Sequence, residues 1–267
     1  LSNDHVISIL EDSTGDIWVG TMRGLNRLDR DTGAFKRYLN DPENPGSISH
    51  NTARVIYQDR SGTIWVGTEG GGLNRYERET DRFVHYMFDP GNPSSLSHNS
   101  IRAIEEDESG VLWIGTAGGG LNSLDRERNS FASYRHDPDD PSSICHDQIF
   151  AIQEDGTGAL WIGTNGGGLS RFDPKTRISI NYANDPSDPA SISYNEIYDI
   201  FDDHSGVIWI GTYGGGINKF DGKRKKFDVY RPRPGDPNSL NEPIVWSIYE
   251  EEDTGVLWIG THGGGLN

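Results

Sequence analysis

Apolar and β-branched residues fall in short runs separated by polar turns rich in Gly, Asp and Pro, and no window of helical length escapes a breaker. One copy of the pattern shows the elements it predicts. Ile101-Arg102-Ala103-Ile104-Glu105-Glu106 mixes apolar and polar positions as a half-buried strand does, and Asp107-Glu108-Ser109-Gly110 closes it with turn chemistry. Val111-Leu112-Trp113-Ile114-Gly115-Thr116 is continuously apolar, as suits a strand covered on both faces. Gly118-Gly119-Gly120 turns the chain into a third strand, Leu121 to Asp125, and the polar turn Arg126 to Ser130 leads to a fourth, Phe131 to Tyr134. The same words recur around Trp18, Trp65, Trp113, Trp161, Trp209 and Trp258, at spacings of 47, 48, 48, 48 and 49 residues. A fixed period of this length marks an array of one supersecondary unit, and four short antiparallel strands per unit describe the blade of a β-propeller. The fold expected is therefore all-β, a propeller with about 48 residues per blade, counted as one domain over 1-267. Its blades run approximately over 1-47, 48-95, 96-143, 144-191, 192-240 and 241-267, the last incomplete.

The linkers between blades repeat as well. Asp41-Pro42-Glu43-Asn44-Pro45, Asp89-Pro90-Gly91-Asn92-Pro93, Asp137-Pro138-Asp139-Asp140-Pro141 and Asp185-Pro186-Ser187-Asp188-Pro189 share a frame, and Arg233-Pro234-Gly235-Asp236-Pro237 keeps both prolines. Two fixed φ angles three residues apart stiffen such a loop. Asp4, Asn51, Asn99, Asp147 and Asn195 follow the linkers, where their short side chains are expected to bond backbone groups at the start of the next inner strand. Departures are few. Thr21-Met22-Arg23-Gly24 lacks one glycine, and one extra residue among Glu250-Glu251-Glu252 is expected to form a bulge or longer turn. Ser179 takes the usual Phe position between Ile178 and Ile180, so the outer strand of the fourth blade is expected to slip in register.

Strands within a blade alternate in direction, which puts the Gly-rich turns and the proline linkers on one face around the mouth of the central channel. That mouth is the default binding site. In a repeat array, positions that stay constant serve the blade and positions that vary are free to serve a ligand. The six tryptophans, Trp18, Trp65, Trp113, Trp161, Trp209 and Trp258, are expected in the core. Variation concentrates in two columns near the mouth: Met22, Glu69, Ala117, Asn165, Tyr213 and His262 after each Thr, and Ile7, Arg54, Arg102, Phe150, Tyr198 and Trp246 at the second residue of each inner strand. The candidate ligand-binding set is Arg54, Arg102, Phe150, Tyr198, Trp246, Glu69, Asn165, Tyr213 and His262. Aromatic rings stack on sugar faces and Arg pairs with carboxylates, so the set suits an anionic oligosaccharide.

Charge and chemistry narrow the classes further. The net charge of -17 is spread over every repeat and argues against nucleic acid or an anionic membrane surface as partner. Cys145 stands alone, so no disulfide forms within the chain, and no apolar run reaches the roughly 20 residues of a membrane span. His50, His98 and His146 share a column but sit on successive blades, too far apart for one zinc ion, and a loop role is the simpler account. The linker Asp residues lack the spacing of a known calcium loop, and the glycine triplets lack the helix and Lys-Ser/Thr pair of a phosphate loop. No cofactor and no metal is expected. An enzyme would need at least two carboxylates facing a cleft, such as Glu69 with Asp199. A passive protein-interaction scaffold is the third class.

The words D-x-x-G-x-[IL]-W-[IV]-G-T-x-G-G-G-[LI]-N, as in Asp107 to Asn122 and Asp155 to Leu169, with D-P-x-x-P-x-S-[IL]-S before them, resemble the two-component regulator propeller repeat over essentially the whole sequence. The resemblance implies a seven-bladed propeller, of which this sequence would be a fragment cut inside a repeat at both ends. It also implies the periplasmic or extracellular sensor of a membrane histidine kinase or hybrid regulator, non-catalytic in itself. The cue implied is a polysaccharide breakdown product or similar small molecule, and a homodimer would form through the parent receptor. The alternatives are the scaffold and, after it, a carbohydrate-active lyase or hydrolase propeller.

Overall fold

Antiparallel four-stranded sheets form in five copies of the repeat and a three-stranded sheet in the sixth, so the chain is an all-β propeller of six blades. The computed structural model describes every residue except Asp31, Lys225 and Glu252. Two compact units divide the chain, Leu1–Ser133 and Tyr134–Asn267.

In the first unit, the blades are β1 (Val6–Glu11), β2 (Ile17–Thr21), β3 (Gly24–Leu28) and β4 (Phe35–Tyr38); β5 (Ala53–Gln58), β6 (Ile64–Thr68), β7 (Leu73–Glu77) and β8 (Arg82–Tyr86); and β9 (Ile101–Glu106), β10 (Leu112–Thr116), β11 (Leu121–Asp125) and β12 (Ser130–Tyr134), the last ending at the unit boundary. The second strands are buried throughout in the second and third blades, as their continuous apolar runs predict. Side chains of neighbouring blades share each core. Trp18 meets Tyr76 of the next blade edge-on at 4.9 Å, in a cluster with Leu25, Ile56 and Phe83. Trp65 stands in the next cluster with Ile104, Leu112 and Phe131. Burial of this kind, at roughly 25 cal/mol per Å2 of apolar surface, is what holds one sheet to the next.

One carboxylate per blade ties the turn to this core. Asp12 Oδ1 accepts the N–H groups of Thr14 and Asp16, while its Oδ2 accepts the indole N–H of Trp18 at 2.9 Å. Asp59 and Asp107 do the same for Trp65 and Trp113, each at 2.7 Å. Burial alone would push the Asp12 carboxyl up, but hydrogen bonds from Thr14, Trp18 and Arg78 hold it well below the usual carboxylate range. The tryptophans are thus core residues with one satisfied polar edge.

The second unit repeats the plan with β13 (Ile149–Glu154), β14 (Leu160–Thr164), β15 (Leu169–Asp173) and β16 (Ile178–Tyr182); β17 (Ile197–Asp202), β18 (Val207–Thr212), β19 (Ile217–Asp221) and β20 (Lys226–Tyr230); and β21 (Val245–Glu251), β22 (Val256–Thr261) and β23 (Gly265–Leu266). Trp161 packs on Phe220 of the following blade at 4.9 Å and bonds Asp155 at 2.9 Å. Trp209 is half-buried, with its indole N–H 3.3 Å from Asp203. Trp258 departs from the expected core role. It is 40% exposed.

Two further expectations need correction. The outer strand of the fourth blade does not slip: Phe172 faces Ser179 just as Tyr76 faces Phe83. The Ser179 N–H bonds the Ser142 carbonyl, the bond that Phe83 and Phe131 make to Gly46 and Ser94, and this backbone link fixes the register whatever the side chain. Ser179 is therefore buried in the Phe slot, while Ile178 and Ile180 are exposed. The residues after the linkers bond backbone groups, but those groups lie at the start of the linker and not of the inner strand. Asn51, Asn99, Asp147 and Asn195 instead accept the N–H of Asn40, Phe88, His136 and Asn184, closing each linker on itself. The sequence puts the extra residue of the sixth blade among Glu250, Glu251 and Glu252; Glu252 lies outside the described residues, and β21 runs one residue longer than β17.

Candidate ligand-binding face

A β-bulge at the same point of every inner strand creates the candidate site. Ile197 pairs with Thr212 and Asp199 with Gly211, so Tyr198 between them is the extra residue left out of the ladder. Arg54, Arg102, Phe150 and Trp246 occupy the same bulge, as does Ile7. A bulge frees its residue from pairing and re-aims its side chain, which explains why this column tolerates Ile, Arg and three aromatics in one fold.

The second variable column is held beside it. The N–H of Glu69 bonds the carbonyl of Thr52, which precedes its own inner strand, and Asn165, Tyr213 and His262 bond Gln148, Glu196 and Ile244 likewise. Isolated bridges then join Glu69 to Ser100, Asn165 to Glu196 and Tyr213 to Ile244, at the entry to the following blade. Within each unit the glycine turns meet the next linker as expected. Gly70 and Gly72 both donate to the Asn99 carbonyl, Gly166 and Gly168 to Asn195, and Gly214 and Gly216 to Pro243. Those N–H groups are spent on a protein carbonyl, which removes the phosphate-loop reading by donor accounting. Gly72 has φ +77°, and a Cβ there would lie 2.2 Å from the Tyr86 carbonyl oxygen, so the turn requires glycine.

In the first unit the site residues form an ionic cluster. Glu69 accepts from Arg54 Nε at 2.5 Å and from Arg102 Nη2 at 3.1 Å, so one carboxylate bridges the bulge residues of two successive blades. Burial would raise the Glu69 carboxyl, but the bond from Arg54 and the charges of Arg102 and Arg54 hold it below the ordinary range.

In the second unit they form an aromatic cluster. Phe150 lies 5.1 Å from Tyr198, and Tyr198 lies 4.6 Å from Trp246 and 5.4 Å from Tyr213, measured between ring centroids. His262 stands 5.9 Å from Trp246. Trp246 is 44% and Tyr213 38% exposed, against the buried tryptophans of the blade cores. Centroid spacings of this size leave no room for a sugar between the rings. A ligand would lie across their outer faces. Asn165 bonds the Gln148 side chain at 2.7 Å.

The remaining candidates resolve into structure. Nδ1 of His50, His98 and His146 accepts the N–H of Thr52, Ser100 and Gln148 two residues on, which is a loop-closing role. The linker aspartates form turns, as Asp89 does with the Gly91 N–H and Asp185 with that of Ser187. Glu69, first half of the supposed carboxylate pair, is committed to two arginines. Asp199, the other half, accepts the Ile248 N–H of the next inner strand at 2.6 Å and that of Ile200 at 3.0 Å. Its burial pushes the carboxyl up to about 7 against those two hydrogen bonds. The carboxylate-to-indole bonds, the bulges and this Asp199 bridge were missed in the sequence. Only the first has a mark there, the six-residue interval from Asp to Trp in the first five copies.

The segments 1–23, 47–70, 95–118, 143–166 and 191–214 match the family described as two component regulator propeller. Five of the six repeats of this chain are thus of that family. Among relatives, the regulator propeller is 51% identical over 49 residues to Histidine kinase P4 of Formosa agariphila, covering 18% of this chain and 3% of that protein. It superposes with TM-score 0.76 and 26% identity on the extracellular domain of a protein assigned to a hybrid two component system in B. thetaiotaomicron, covering 100% of this chain and 40% of that one. A catalytically inactive virginiamycin B lyase from Staphylococcus aureus, at 16% identity and TM-score 0.70 over 81% of its length, shares the fold alone. The regulator propeller therefore spans about two fifths of the hybrid-system domain, at 40%.

Proposed function

We propose that this regulator propeller is the ligand-sensing part of a two-component receptor, lying outside the cytoplasm and binding an oligosaccharide without transforming it. The cluster of Phe150, Tyr198, Trp246 and Tyr213 carries the reading, because Trp246 and Tyr213 are exposed, Phe150, Tyr198 and Trp246 stand on bulges, and none of the four belongs to a core cluster of the described residues. The sensor role and the location rest on the family and on the extracellular relative. Sugar C–H faces would lie on the Trp246 and Tyr213 rings, with His262 at the edge. Signalling requires that the ligand favour one of two arrangements of the parent protein. The test is calorimetry of the chain against a panel of neutral and acidic oligosaccharides, with Trp246→Ala alongside. Binding weakened about tenfold or more by Trp246→Ala is expected, the loss of one aromatic stacking partner. Binding that ignores Trp246→Ala, or a sugar that is cleaved during the titration, overturns the reading.

A further inference from the structure

We propose that the cleft between the fourth and fifth linkers is a second binding site, for an acidic saccharide whose carboxylate pairs with Arg231 and Arg233. The cleft measures about 730 Å3, within the range of roughly 300–1,000 Å3 typical of small-molecule sites, and Asp185, Asp188, Pro189, Val229, Arg231 and Arg233 line it. It shares no residue with the aromatic cluster and does not rest on the reading given to that cluster.

The repeat itself singles out the two arginines. Arg233 stands where the other linkers carry Asp41, Asp89, Asp137 and Asp185, so the charge is reversed at one copy in five. The linker does not need the reversal to fold. Arg233 N–H bonds Ser239 Oγ at 2.9 Å as Asp41 N–H bonds Ser47 Oγ at 3.0 Å, and Asp236 N–H reaches the Arg233 carbonyl at 3.0 Å as Asn44 does that of Asp41. The backbone of the turn is thus the same with either side chain. Arg233 is loosely held: its side chain is 76% exposed and its ion pair with Asp236 spans 3.9 Å. Arg231 spends Nε on the Gly215 carbonyl at 3.3 Å. Among the described residues it makes no ion pair.

The facing wall supplies the complementary half. Asp185 Oδ1 is committed to the N–H and hydroxyl of Ser187, and Asp188 Oδ1 to the Ala190 N–H. The second oxygen of each has no partner among the described residues and can accept hydroxyl groups. Pro189 and Val229 offer apolar surface for C–H faces. A neutral sugar would use one wall only, and an inorganic anion would use the guanidinium wall while facing two carboxylates. A molecule with hydroxyls at one end and a carboxylate at the other matches both, and guanidinium–carboxylate pairing is among the stronger charge-assisted contacts.

Calorimetry of the 267-residue chain with digalacturonic acid, its methyl ester and the dipeptide Lys-Glu tests this. The acid is expected to bind, and the ester and dipeptide about tenfold or more weakly. Arg233→Asp restores the residue of the other linkers, so it should keep the melting temperature while weakening the acid by about tenfold or more, as should Arg231→Ala. Trp246→Ala should leave this binding unchanged, which separates the cleft from the aromatic cluster. No binding of the acid, equal binding of its ester, tighter binding of the dipeptide, undiminished binding by Arg233→Asp, or loss with Trp246→Ala would each overturn the proposal.

Discussion

Asp199→Asn, compared with the unchanged chain from about pH 4 to pH 9, measures what joins the fifth inner strand to the sixth. Asp199 accepts the Ile248 N–H across that junction, yet its burial holds the carboxyl at about 7 instead of the ordinary 3.8. Below the ordinary value both folded and unfolded states keep the proton, and the contribution to stability is fully present. As the pH rises toward about 7 the unfolded state has released its proton while the native state still holds it, so stability falls through this window and levels off above it. The interval from 3.8 to about 7 corresponds to about 4 kcal/mol at roughly 1.36 kcal/mol per tenfold. Asp199 keeps some surface as a whole residue, so that figure is a ceiling. Asparagine retains one acceptor oxygen and stays neutral. The variant should match the unchanged chain near pH 4 and be more stable above about pH 7, by up to about 4 kcal/mol in urea unfolding. Amide exchange at Ile248 reads the same junction locally, and should quicken with pH only in the unchanged chain beyond the intrinsic rise. Parallel stability curves, or a chain that gains on its variant as the pH rises, would show that the carboxylate is the favoured form and refute the argument.

Other positions make simpler demands. Ser179→Ala removes a buried hydroxyl that has no partner among the described residues and should stabilise the chain by about 1–2 kcal/mol in chemical denaturation; a loss of stability would mean the hydroxyl is satisfied after all. Gly72→Ala forces a Cβ onto the Tyr86 carbonyl at φ +77° and should destabilise by about 1–3 kcal/mol or more, visible as a lower melting temperature, whereas Gly15→Ala at φ +85° meets nothing within 4 Å and should cost less.

The period and the strand order could be read from the sequence because each copy restates them: the apolar runs at Trp65, Trp113 and Trp161 all became buried second strands. The two variable columns were also legible, since a copy such as Ala117 beside Tyr213 declares that the fold is indifferent there. The bulge that explains one column was not legible. It is a mismatch in the count of paired residues on two strands, and neither strand carries a residue type that announces it. Ser179 misled for the opposite reason. Its side chain suggested slippage, but register was set by a backbone bond to Ser142 that no side-chain pattern records. Asp199 looked like half of a catalytic pair, and only the position of the Ile248 N–H shows that its oxygen already has a partner.

The two clusters built on the bulges differ in what a ligand would have to displace. Arg54 and Arg102 are already bridged by Glu69, and an anion seeking them must compete with a carboxylate held in place by both guanidinium groups. Truncating or displacing one partner of such a pair leaves the others uncompensated, which opposes binding unless the ligand replaces every lost contact. Trp246 and Tyr213 have no such bridging carboxylate among the described residues, and covering their exposed faces releases water from apolar surface. The same bulge geometry therefore yields an ionic cluster bridged by its own carboxylate in the first unit and an aromatic one with two exposed rings in the second. Of the two, the aromatic cluster is where binding energy remains to be gained.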